Sequence, residues 1–82
     1  MKSLMKSKES LAKEIKDIFK KELGVKISLN DKIYNHKQWD SIGNFNILLK
    51  CEKHFNIKFN SNEFNNIKSF KEIFNIVKKK IK

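Results

Sequence analysis

Apolar residues recur at helical spacing near both ends of the chain. Over residues 7–23 they fall at Leu11, Ile15, Ile18, Phe19 and Leu23, along one face of a helix. Lysines and glutamates fill the opposite face, where Glu9/Lys13 and Asp17/Lys21 are spaced as i,i+4 pairs. Gly24 stands where a left-handed residue would end that helix. Near the other end, Ser69-Phe-Lys-Glu72 reads as a capping box in which serine and glutamate satisfy free amides reciprocally. Phe70, Ile73, Phe74, Val77 and Ile81 then form the buried side of a last helix. Lysines 78, 79, 80 and 82 crowd its C-terminal end, where the helix dipole favours cations.

No period holds between these segments over residues 25–40. Val25, Ile27, Leu29, Ile33, Tyr34 and Trp39 are scattered among Asn, Asp, Lys and His. The stretch reads as a long loop pinned to the core by apolar anchors, with a short turn near residues 31–33. A loop of that length in a small domain points toward function. Asp40 then looks like an N-cap with Ser41 at the first helical position. The helix should run to about His54, with Ile42, Phe45, Leu48, Leu49, Glu52 and Phe55 inward and Ile47 and Cys51 flanking them. Residues 61–66 suffice for one or two turns, with Phe64 and Ile67 pointing inward. The expected fold is all-α: a small four-helix bundle, three helices longer and one short, with a long loop between the first two. The whole of 1–82 reads as a single domain, frayed over residues 1–6.

Composition supports that reading. Eighty-two residues at 9.8 kDa, 39% apolar and 34% charged, suit one small domain and are too apolar for a disordered tail. A single cysteine excludes an internal disulfide and a multi-cysteine zinc module, and fits a reducing compartment. No stretch has the apolar length of a membrane span, and no apolar run follows the first lysines as in a secretory signal. The cytoplasm is the expected location.

The net charge of +10 points to nucleic acid, an anionic membrane or an acidic protein. All nineteen basic residues are lysine, however, and arginine carries most bidentate recognition of bases and phosphates. Ten Asn and eleven Ile accompany them, and Lys, Asn, Ile and Phe all have A/T-rich codons. The lysine excess is therefore read mainly as solvated surface and only secondarily as a binding footprint.

Catalytic groups are sparse, and an autonomous enzyme is not expected. His36 and His54 lack HExxH-type spacing, so a zinc site joining them to Cys51 and a carboxylate weighs less than two surface imidazoles and a buried thiol. A Cys51–His54 nucleophile pair meets the objection that Cys51 borders an apolar stripe. No metal site is expected. Ser41 stands out instead. Its hydroxyl would be exposed at a helix N-terminus, where free amides and a partial positive charge would favour an attached phosphodiester. The plainer reading of Asp40-Ser41 is simple capping.

The surroundings favour the former. The run from Trp39 through Asp40-Ser41-Ile42, Phe45, Glu52 and Phe55 to Ile57 and Phe59 resembles the second-helix signature of the acyl carrier protein family. That family begins its second helix with Asp-Ser-Leu, followed by an apolar residue, a Glu, an aromatic residue and an Ile-x-Ile/Phe pair. Downstream, Phe64, Ile67, Ser69, Phe70, Ile73 and Val77 resemble its third and fourth helices, so the likeness covers about residues 8–81.

The resemblance implies a carrier. Ser41 would be the attachment site of 4′-phosphopantetheine, a covalent cofactor whose thiol holds an acyl or aminoacyl group as a thioester. Asp40 would belong to the recognition motif, and Ile42, Phe45 and Leu49 would lie near the arm or under it. The implied partners are a phosphopantetheinyl transferase, a loading ligase or acyltransferase, and a downstream acceptor enzyme; nothing in the sequence pattern demands a second copy of the chain, so a monomer is expected. Partners would meet Trp39, Asn46, Lys50 and Lys53, although Trp39 reads equally as a loop anchor packed on the second helix.

Two features depart from fatty-acid carriers. Asn46, Lys50 and Lys53 stand where those show carboxylates, and Trp39 precedes the motif where they have a small residue. Both point to a dedicated pathway outside bulk fatty-acid synthesis. The alternative is a small basic helical module that binds nucleic acid or an acidic protein, and nucleic acid is disfavoured by the missing arginine. A carrier fold that has lost its arm and acts as an adaptor is a third reading.

Overall fold

In a computed structural model, which describes residues 8–81, the chain forms α1 (Lys8–Leu23), α2 (Ser41–Phe55), α3 (Ser61–Asn66) and α4 (Phe70–Ile81). The expectation for residues 1–6 lies outside the described residues. Helices α1, α2 and α4 pack on one another, and α3 is the short fourth member of an all-α bundle. Among the described residues, no helix is long and apolar enough to cross a membrane.

The core assembles from the periodic faces. Helix α1 buries Leu11, Ile15, Ile18 and Phe19, and α4 buries Phe70, Ile73 and Val77. Each such side chain contributes about 1.5–3 kcal/mol by leaving water. Phe19 lies at the centre, with Trp39 edge-on at 4.7 Å and Phe70 at 6.3 Å. Gly24 ends α1 as expected, at φ +70°, with its N–H donating to the Lys20 carbonyl at 2.9 Å.

Capping accounts for several of the other ends, with one change. Asn56 takes the left-handed conformation after α2 and donates its N–H to the Glu52 carbonyl. Helix α3 carries a full capping box, in which Glu63 N–H donates to Asn60 Oδ1 and Asn60 N–H to Glu63 Oε1, both at 2.8 Å. At α4 the box is only half as expected. Ser69 Oγ accepts from the Glu72 amide at 3.1 Å, but Glu72 Oε1 accepts from Lys68 N–H rather than from Ser69. The Lys32–Ser69 bridge, flanked by Ile33 N–H to Lys68 O and Phe70 N–H to Asp31 O, draws the Lys68–Ser69 link toward the long loop.

The ion pairs of α1 also differ from the i,i+4 expectation. Among the described residues, Glu14 and Glu22 reach across to α2 instead, Glu14 to His54 at 2.8 Å and Glu22 to Lys50 at 3.8 Å.

Residues 24–40 follow an ordered path without regular structure. Val25, Ile27 and Trp39 are buried and Ile33 partly so, as anchors should be. Leu29 and Tyr34 are not anchors: they are 52% and 67% exposed. Turns at 29–30 and 33–34 turn both side chains outward, in place of the single turn expected at 31–33. The Asp31 carboxylate closes the first turn by accepting from Ser28 N–H at 2.9 Å and from the His36 imidazole at 2.8 Å.

Candidate functional site at the start of the second helix

Helix α2 begins where Asp40 takes an extended conformation and its Oδ1 accepts the Gly43 amide at 2.8 Å. Its backbone carbonyl takes the Asn44 amide at 2.8 Å. Two of the first amides of the helix are thus satisfied by one residue. Those of Ser41 and Ile42 belong to the unpaired set that every helix N-terminus offers to water or an anion.

Gly43 is required by close approach. A Cβ there would run into the backbone carbonyl of Gln38, so the loop lies directly against the first turn of α2. Beside it, the buried Asn44 accepts from Trp39 Nε1–H at 2.9 Å and donates through Nδ2 to the Ile67 carbonyl at 2.8 Å. One side chain joins the loop, α2 and the segment before α4.

These contacts set the rotation of α2, and it differs from expectation. The buried face is Gly43, Asn44, Ile47, Leu48 and Cys51. Ile42, Phe45 and Leu49, expected inward, are 73%, 51% and 39% exposed. The helix carries apolar residues on two faces, so periodicity alone does not choose between them. Gly43 and Asn44 choose, because the inward positions must admit a backbone and bond an indole. Phe45 lies over Phe64 of α3, with ring centroids 5.2 Å apart, and Phe64 contacts Phe59 at 5.8 Å.

Ser41 is exposed at the first helical position, with its Oγ 2.8 Å from the Tyr34 phenol oxygen. Tyr34 has φ +75°, a conformation bulky residues avoid at about 1–3 kcal/mol. Its N–H donates to the Trp39 carbonyl at 2.7 Å, closing the 34–39 loop. The hydroxyl and the first-turn amides therefore stand at the end of α2 from which the apolar stripe of Ile42, Phe45 and Leu49 runs along the helix. A phosphodiester on Ser41 Oγ would meet the positive end of the helix dipole, so the residues present fit such a group.

Trp39 is corrected as a partner contact. It is fully buried and hydrogen-bonded, so it is the loop anchor. Lys50 and Lys53 are exposed and Asn46 half-buried along α2. With Leu49, Ile57 and Lys58 they line a groove of about 620 Å³ that does not include Ser41.

The remaining polar candidates stay apart. Cys51 lies inside the core, where burial pushes its thiol up to about 12, far from thiolate formation at neutral pH. His54 turns outward to Glu14, and His36 bonds Asp31. No Cys51–His54 pair forms. Among the described residues, no group of three His, Cys, Asp or Glu side chains is placed to hold a metal ion.

Sequence reasoning missed Gly43, Asn44 and Tyr34. The first two had only a partial signal: they fall four residues before Ile47 and Leu48 and share their face, but a second apolar face of α2 competes with it. Tyr34 had none, because its position depends on a left-handed turn seven residues upstream of Ser41. Scans of this chain against protein-family models, curated proteins and solved structures return no match.

Proposed function

We propose that this chain is a discrete acyl or aminoacyl carrier, holding its cargo as a thioester on a 4′-phosphopantetheine arm at Ser41 and serving a pathway other than bulk fatty-acid synthesis. The observation that carries the reading is the exposed Ser41 hydroxyl at the first position of α2, beside the exposed Ile42, Phe45 and Leu49. The resemblance of residues 39–59 to the second-helix signature supports it.

In arm transfer, Ser41 Oγ forms a bond to the pantetheine-side phosphorus of coenzyme A. The phosphoanhydride bond breaks, 3′-phosphoadenosine 5′-phosphate leaves, and the serine proton passes to a base on the transferase. Asp40 holds the first turn of α2 so that its dipole faces the new phosphodiester. The bound arm supplies a terminal thiol that carries the cargo to successive active sites at high local concentration.

The stripe of Ile42, Phe45 and Leu49 gives partner enzymes an apolar surface, and Lys50 and Lys53 beside it select partners with acidic docking faces. Trp39 and Asn44 brace this surface from below. The loading ligase or acyltransferase and the downstream acceptor carry out the chemistry; the chain itself is not an enzyme. Its proposed location is the cytoplasm.

The test is intact mass after incubation with coenzyme A and a broad-specificity phosphopantetheinyl transferase, beside Ser41→Ala. Gain of one phosphopantetheinyl group by the unaltered chain alone is the expected result. No gain with several transferases, from a chain whose fold is verified, would remove the reading. Strongly salt-dependent nucleic-acid binding by such a chain would put the basic-module alternative in its place.

A further inference from the structure

We propose that Tyr34 is a positioning residue for the Ser41 hydroxyl, selecting the rotamer from which Oγ accepts the arm; this rests on the carrier reading of Ser41.

The Tyr34 phenol oxygen lies 2.8 Å from Ser41 Oγ, and either atom can donate. Nothing in the packing of the core calls for an aromatic ring at this position, because the side chain is exposed. The backbone holds it there nonetheless. Tyr34 sits at φ +75°, its N–H bonded to Trp39 O, with Ile33 N–H to Lys68 O on one side and Asn35 N–H to Lys32 O on the other. An unfavourable conformation maintained by its surroundings to present an exposed side chain points to function.

The chemistry of the pair suits the transfer step. A serine at the first position of a helix has several open rotamers, and one hydrogen bond to a fixed partner selects among them. With the phenol donating, the serine proton is left free for the transferase base while an Oγ lone pair faces phosphorus. Once Oγ carries phosphorus it has no proton, so the phenol is the only donor remaining in the pair. Tyr34→Phe removes that donor and keeps the ring.

The experiment compares the unaltered chain with Tyr34→Phe and Ser41→Ala, using coenzyme A and a phosphopantetheinyl transferase, and follows arm transfer by intact mass. Tyr34→Phe should lower kcat about three-fold, the share of one staggered rotamer among three, with KM unchanged and Tm lower by no more than the few degrees one hydrogen bond contributes. In parallel, the Hα–Hβ couplings of Ser41 by NMR should report one rotamer in the unaltered chain and averaging in Tyr34→Phe; this readout needs no arm. Equal kcat for the two chains overturns the proposal while leaving the carrier reading intact. Averaged couplings in the unaltered chain overturn it as well, as does a kcat loss in Tyr34→Phe with the Ser41 couplings unchanged. An unaltered chain that takes no arm overturns the carrier reading, and this proposal with it.

Discussion

The indole N–H of Trp39 and the side-chain carbonyl of Asn44 are hydrogen-bonded at 2.9 Å with both residues buried. The other end of the same amide holds the Ile67 carbonyl, so Asn44 is a two-sided tie between elements far apart in sequence. Replacing it with Leu strips partners from a buried donor and a buried acceptor at once. Asn44→Leu should lower stability by about 2–6 kcal/mol, counting roughly 1–3 kcal/mol for each of the two groups left unpaired. Thermal unfolding checks this, and a double-mutant cycle with Trp39→Phe should be non-additive.

Gly43→Ala tests the close approach of the loop. Alanine favours a helix over glycine by about 1 kcal/mol, so a gain is expected from propensity alone. The clash with the Gln38 carbonyl opposes that gain, and backbone cannot swing aside as a long side chain can. The expected net effect is a loss of about 1–2 kcal/mol, in the range of an overpacked site. A lower Tm together with a red shift in the fluorescence of the single tryptophan would show that the loop has lifted.

The two outer helices were legible because each carries one apolar stripe and one charged face. The same was true of the Asp40 cap, which depends only on neighbouring residues. The inward face of α2 was not legible. Ile42, Phe45 and Leu49 are as apolar as Ile47, Leu48 and Cys51, and the choice rests on a backbone contact at Gly43 and a bond from Trp39. Nor was the outward turn of Leu29 and Tyr34, which depends on pairing between residues 31–33 and 68–70. Tertiary partners decided every position that local pattern missed.

Acid sensitivity should follow from two carboxylates. The hydrogen bond from His36, and then the Ser28 amide, hold the Asp31 carboxyl below its ordinary value of 3.8. The Asn60 amide and then Lys80 hold Glu63 below 4.5. A carboxyl depressed by folding adds stability above its unfolded value and loses it as pH falls through the folded one. Tm should therefore hold from neutrality to about pH 4.5 as far as these groups are concerned, then fall with further acid. Glu63→Gln should flatten part of that descent in a Tm-against-pH series.

The exposed stripe on α2 should be separable from stability. Ile42→Ser combined with Leu49→Ser touches side chains that the core uses little, so ΔG should change by less than about 1 kcal/mol. Steady-state arm transfer should show KM raised about ten-fold, because the apolar surface offered to the transferase is gone. An unchanged KM would place docking on another face.

The bonds from Ile33 to Lys68 and from Phe70 to Asp31 bring a timing constraint to synthesis. The loop that presents Tyr34 takes its shape from residues some thirty-five positions later in the chain. During synthesis residues 31–41 are made before Lys68 and Phe70, so Tyr34 and Ser41 precede the partners that shape their loop. Its surroundings are completed only when the start of the last helix is free to fold back. An enzyme that uses the Tyr34–Ser41 pair would thereby act more slowly on chains whose loop has not yet met Lys68 and Phe70.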